Sequence, residues 1–187
     1  MIGVMVPNSD AFITNQIPEF GLGIISPSGE RYSHGDISST LPFAFDSSGN
    51  LWVAETFQNR IVKYPVNNLE TFGMYTTVLG QFNFGSMKQN NGGLGDTSLS
   101  QPSGLTFDSS GNLWVADSGN NRILKYPEAN LATGGAATVA LGQSDFVSNS
   151  KGTTATTLYN ATSIDFDSSG NLWVADDKNN RILKFPE

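Results

Sequence analysis

Three acidic residues stand five positions ahead of three arginines: Glu55 before Arg60, Asp117 before Arg122 and Asp176 before Arg181. Carboxylates in such places suit two kinds of chemistry. Gathered around a hard cation such as Ca²⁺, or facing a cationic partner, they supply several oxygens at once. Held at constant spacing from a guanidinium, they form charge-assisted pairs that fix a turn. Recurrence in every copy of a unit favours the second, architectural role. Polar residues that do not recur are the better binding candidates. Asp165 stands where corresponding segments have Ala44 and Thr106, and Asp177-Lys178 replaces Ser118-Gly119. Gln89, Asn90 and Asn91 lie in a long polar stretch between copies. Asp165, Asp177, Lys178, Asp117, Glu55, Gln89, Asn90 and Asn91 are therefore the candidate binding residues.

No catalytic or metal-ligating set is predicted. The chain has no cysteine, which removes thiolate nucleophiles and Cys-based zinc sites, and its one histidine, His34, lies in an irregular stretch. A Ser-His-Asp triad would have to be built on His34 alone. The segment Asp46-Ser47-Ser48-Gly49-Asn50 alternates oxygen-bearing side chains like part of a calcium loop, but its glycine is misplaced and no bidentate Glu follows. It reads as a hairpin turn, and no cofactor is predicted beyond the Ca²⁺ alternative. Gly92-Gly93-Leu94-Gly95 resembles a phosphate loop only superficially, since no strand leads into a helix there and no Lys follows. Asn160-Ala161-Thr162 fits a glycosylation acceptor, with meaning only in a secreted eukaryotic protein.

The bulk composition narrows the partners. A net charge of −7 opposes nucleic-acid binding, which needs clustered Lys and Arg. Met1 to Val6 is apolar but lacks a basic flank and breaks at Pro7, so neither a targeting signal nor membrane insertion is expected. With 38% hydrophobic residues and 11% aromatics the chain should fold. Only 14% of residues are charged, and Ser, Thr, Asn and Gly abound, a balance that leans toward an extracellular or cell-envelope setting.

The elements that position these residues are set by repetition. Asp-Ser-Ser-Gly-Asn-Leu-Trp-Val-Ala begins at Asp46, Asp108 and Asp167, and each copy runs on into Asn-Arg-Ile-Val/Leu-Lys-aromatic-Pro. Internal repeats of this size mean a solenoid, propeller or array. Within a unit the apolar period is two, the signature of strands. In the second copy the strands are expected at 104–107, 113–116, 122–126 and 137–142, with Asp108 to Asn112 as a hairpin and Asp117 to Asn121 as the next turn. Apolar residues fall on both faces of nearly every strand, as in a sheet packed between two copies of itself. Trp52, Trp114 and Trp173 then serve as packing groups between sheets.

The motif Pro-x-Gly-apolar-x-aromatic-Asp, then Gly-Asn-Leu-Trp-Val-Ala-Asp, then Asn-Asn-Arg-Ile-Leu-Lys-Tyr, complete at Pro102 to Pro127, resembles the NHL repeat. The first copy departs with Glu55 and Phe57-Gln58, and the third with Ala161-Thr162-Ser163. The resemblance spans roughly residues 37 to 187. It implies an all-β fold, a β-propeller of NHL type with about three four-stranded blades in this chain. It also implies that turns between second and third strands share one face with the blade connections, and that this face binds. Proteins with such propellers include protein-binding, RNA-binding, sensor and lyase members, and the lyases use several histidines.

The expected division is an N-terminal segment over 1–36 with an outer strand near Phe20 to Ile25, a first blade over 37–98, a second over 99–157, and a third over 158–187 lacking its outermost strand. Closed propellers use four to eight blades. The chain is then a fragment of a longer protein, the preferred reading, or half of a homodimer completing a six-bladed ring, or a stack whose terminal faces are otherwise capped. The function expected is a non-catalytic module binding a protein or small ligand. The alternatives are a fragment of a propeller lyase or hydrolase whose metal ligands lie in missing blades, and a structural surface-protein repeat.

Overall fold

Hairpin chemistry and apolar alternation build three separate antiparallel sheets. The computed structural model describes residues 41–69 and 74–186. The first sheet holds β1 (Phe43–Phe45), β2 (Leu51–Glu55), β3 (Arg60–Tyr64) and β4 (Thr77–Leu79). The second holds β5 (Pro102–Phe107), β6 (Leu113–Asp117), β7 (Arg122–Tyr126) and β8 (Val139–Leu141). The third holds β9 (Ala161–Phe166), β10 (Leu172–Asp176) and β11 (Arg181–Phe185). Neighbours in sequence are neighbours in each sheet. The expected strand near Phe20 to Ile25, and His34, lie outside the described residues.

Each first hairpin is held by its aspartate. Oδ1 of Asp108 accepts from the Ser110 and Asn112 amides at 3.0 and 2.9 Å, and Gly111 takes φ +80°, a region closed to most side chains. The fourth strands are shorter than the sequence suggested. Gly80 and Gly142, at φ +84° and +88°, turn the chain out of β4 and β8 one residue after each ends.

The register sorts the side chains into faces. Ala44 pairs Trp52 and Trp52 pairs Lys63, so these share one face of the first sheet, while Phe45, Leu51 and Tyr64 share the other. The tryptophan-bearing face of the first sheet, with Trp52, Ala54, Ile61 and Leu79, packs on Leu105, Leu113, Val115, Leu124 and Tyr126 of the second. The second sheet repeats the move, with Ala116 and Ile123 packing on Ile164, Leu172 and Val174 of the third. Trp52 meets Phe107 edge-on with ring centroids 6.1 Å apart, and Trp114 meets Phe166 at 5.8 Å. The expected packing role of tryptophan holds at those two seams. At Trp173 no sheet follows among the described residues, and the side chain is exposed.

Candidate functional site

The acidic residues and arginines are cross-strand partners, Glu55 with Arg60, Asp117 with Arg122 and Asp176 with Arg181. All three are ion pairs, the last two at 2.7 Å from Nε to Oδ2. Between the partners runs a single 3-10 turn closed by Asn59, Asn121 or Asn180 at φ +54°, +54° and +51°. Asparagine tolerates this left-handed conformation better than most residues.

The guanidinium groups also fasten the long connections. Arg122 donates from Nη1 to the Phe146 carbonyl at 2.6 Å, and from Nη2 to the Gly95 and Ser98 carbonyls at 2.9 and 3.0 Å. It thereby ties the connection entering its sheet to the one leaving it. Arg60 donates to the Phe84 carbonyl, and Arg181 to those of Thr153, Thr154 and Thr157. The free carboxylate oxygens of Asp117 and Asp176 accept from the Ser100 and Tyr159 amides, both at 2.7 Å. Burial pushes the Asp117 carboxyl above its ordinary range, against the opposing pull of Arg122, Asn120 and the Ser100 amide.

A second set of clamps was not legible as functional positions. Asn121 donates to the Asn149 carbonyl at 2.9 Å and accepts from the Asn160 amide at 2.9 Å; Asn59 does the same with Met87 and Gln101. Gln143 donates to the Asn121 and Ser150 carbonyls, and Gln81 to those of Asn59 and Lys88. The available signal was the repeated Leu-Gly-Gln at 79–81 and 141–143. These bonds gather the second-to-third-strand turns and the sheet connections on one face.

The candidate residues fall into four groups on this scaffold. Glu55 and Asp117 are fully buried, each spent on its own arginine rather than gathered toward a common cation. Asn90 is half-buried in a reciprocal amide pair with Asn120, at 3.0 and 2.8 Å. Asp177 and Lys178 are exposed and 3.6 Å apart, with Gln89 exposed and Asn91 half-buried on the same face. Asp165 lies within β9, the first strand of its sheet, exposed, opposite Trp173, and accepts from Thr106 Oγ1 at 3.2 Å. No following sheet encloses it among the described residues.

Three apolar residues on this face escaped the sequence reading: Phe57 is 65% exposed, Phe82 56% and Val147 69%. Phe57 occupies the turn position held by Gly119 and Lys178 in the other copies. At Gly119 a Cβ would lie 2.1 Å from Ser100 Oγ, so that copy keeps glycine because a loop crosses it. One backbone turn thus carries Phe, Gly and Lys in three successive sheets.

The opposite face is built of the hairpins. Asp46, Asp108 and Asp167 each accept from the indole Nε1 of the tryptophan six residues on, at 2.9, 3.0 and 2.9 Å, and from a neighbouring Asn side chain. Lys63, Lys125 and Lys184 lie over the same indoles at 5.4, 5.2 and 5.7 Å. A groove of about 780 Å³ opens here between the second and third sheets, lined by Asp108, Trp114, Lys125, Leu141, Phe166 and Phe185. At the seam between the first and second sheets, Leu131 packs into the core and Thr133 Oγ1 accepts from the Val78 amide. Trp52 is accordingly sealed, whereas Trp114 is half-buried.

The NHL repeat family model matches residues 99–126 and 158–185, the second and third sheets. No curated protein matches the chain in sequence. Among solved structures the chain is similar to a catalytically inactive virginiamycin B lyase from Staphylococcus aureus with quinupristin, at 18% identity and TM-score 0.51, over 87% of this chain and 44% of that one. It is similar to a streptogramin B lyase at 17% identity and TM-score 0.50, over 87% and 46%. A protein of unknown function from Bacteroides thetaiotaomicron matches at 15% identity and TM-score 0.59, over 80% and 35%. At these identities the likeness concerns the fold, and the chain spans less than half the length of each. The repeats, the three stacked sheets and the tryptophan seams between them agree: residues 99–126 and 158–185 carry NHL repeats, and the chain has the all-β, β-propeller type of fold.

Proposed function

We propose that this propeller segment is a recognition module whose face of turns and sheet connections binds a protein or small ligand. The observation that carries this reading is the turn between second and third strands. Its backbone, asparagine closure and acid-arginine anchor are constant, while its tip changes from Phe57 to Gly119 to Asp177-Lys178. A rigid frame with variable tips suits recognition. Exposed Phe57 and Phe82 add the aromatic surface that interface cores favour, and Gln89, Asn91, Asp177 and Lys178 add a polar rim.

The test compares the native chain with a Phe57→Ser, Gln89→Ser, Lys178→Ser variant, both immobilised and exposed to native extract and to a small-molecule library. A partner held by the native chain and lost from the variant, at equal melting temperatures, supports the reading. Equal retention by both overturns it. A second reading is supported by two of the similar structures being named lyases. Turnover of quinupristin by the chain would put that enzymatic reading first.

A further inference from the structure

Asn91 is the only asparagine in the chain followed directly by glycine. The pair lies in the connection between the first and second sheets, in a turn closed by the Gly93 amide donating to the Asn90 carbonyl at 2.7 Å. Three features leave it chemically open. Gly92 and Gly93 are exposed and Asn91 is half-buried. Neither the Asn91 side-chain amide nor the Gly92 backbone N–H has a hydrogen-bond partner among the described residues. Gly92 also has no Cβ to shield its nitrogen. The fold nevertheless requires glycine there, because its φ is +87° and a Cβ would lie 2.5 Å from the Phe82 ring. Nearby asparagines are held differently. The Asn90 amide is exchanged with that of Asn120, and Asn59 donates to the Met87 carbonyl.

We propose that Asn91 is a site of spontaneous modification, converting to aspartate and isoaspartate through a cyclic imide formed with Gly92. The Gly92 nitrogen bonds to Asn91 Cγ and gives up its proton, while the side-chain nitrogen leaves Cγ as ammonia. Water then opens the ring. Attack at Cγ yields aspartate in an ordinary backbone, and attack at the main-chain carbonyl carbon of residue 91 yields isoaspartate, with the chain routed through Cβ and Cγ. The sequence of steps consumes only water. Reaching the ring takes rotation about the Asn91 backbone, opposed by the single hydrogen bond from Gly93 to Asn90 at an exposed tip. Either product places a new carboxylate near exposed Lys88 and Gln89. Isoaspartate also lengthens the backbone inside the turn. The reaction rests on this turn alone and is independent of the loop-face reading.

The native chain is incubated at neutral and at mildly alkaline pH beside a matched sample in urea. Digests are then mapped by mass spectrometry and labelled with an isoaspartyl methyltransferase. The expected result is a native form shifted by one negative charge in isoelectric focusing, with the label confined to the Asn91 peptide. Its rate should rise with pH, because the deprotonated amide nitrogen is the nucleophile. Asn91→Gln should lose that form entirely, since its imide ring is one atom larger and closes far more slowly, while the circular dichroism spectrum stays unchanged. An Asn91 peptide that reacts in urea but stays intact in the native chain overturns the proposal, because the turn then protects it. So does ammonia loss spread evenly over the asparagines, or an acidic form that persists in Asn91→Gln.

Discussion

Trp52 stands edge-on to Phe107, ring centroids 6.1 Å apart and planes inclined at 66°, with its indole nitrogen bonded to Asp46. One side chain thereby joins the hairpin of its own sheet to the first strand of the next. Trp52→Ala is expected to cost about 3–5 kcal/mol, as for large core truncations. A double-mutant cycle with Phe107→Ala should return a coupling of about 0.5–1.5 kcal/mol. Urea unfolding of the four proteins measures both, and additivity within error would show that the ring contact contributes nothing beyond burial.

Arg122 is fully buried, with its Nε on Asp117 and its Nη groups on the Phe146, Gly95 and Ser98 carbonyls. Arg122→Met leaves a buried carboxylate without its cation, and a loss of about 3–5 kcal/mol is expected. Arg181→Met should lose less, because that side chain is 24% exposed and water can take its place. Equal losses at both sites would contradict the assignment of burial as the cause.

Gly142 turns the chain out of β8 at φ +88°, and a Cβ there would lie 2.6 Å from Leu158 and 3.0 Å from the Asn121 carbonyl. Gly142→Ala combines left-handed strain of about 1–2 kcal/mol with overpacking of about 1–3 kcal/mol. Gly134, at φ +76° with nothing within 4 Å, is the control and should show the strain alone. Denaturant midpoints of the two variants separate these contributions.

The hairpin carboxylates set an acid limit. Asp108 is desolvated, which raises its pKa, but the Trp114 and Asn112 donors and Lys125 outweigh this and hold it below the ordinary range; Asp46 behaves alike. Asp167, solvated on the last sheet, is held down by Trp173 and Asn171. A lowered native pKa means that the unfolded chain binds more protons below about pH 4. The stability from these groups is therefore full above that range and is lost as pH falls toward the native values. Urea midpoints at pH 6 and pH 3 should show the decline, and Asp108→Asn should flatten it.

Much of this was legible locally. The hairpin Asp108 to Asn112, the strand alternation through Leu113-Trp114-Val115 and the acid-arginine spacing are short-range features, and each hydrogen bond they predict spans a few residues. The clamps of Asn121 on Asn149 and Asn160, and of Arg122 on Gly95 and Phe146, join residues 24 to 39 positions apart. Those connections vary in sequence while their carbonyls and amides do the bonding, and backbone atoms leave no mark in residue identity.

The sequence by itself determined the repeated sheet, its hairpin and its paired turn, because those depend on the order of neighbours along one strand or turn. Only the tertiary structure decided which faces are covered. Trp52, Trp114 and Trp173 are identical in local sequence, yet one is sealed, one half-buried and one exposed. Burial belongs to what packs against a residue, and at the ends of a stack that is a property of the assembly rather than of the repeat.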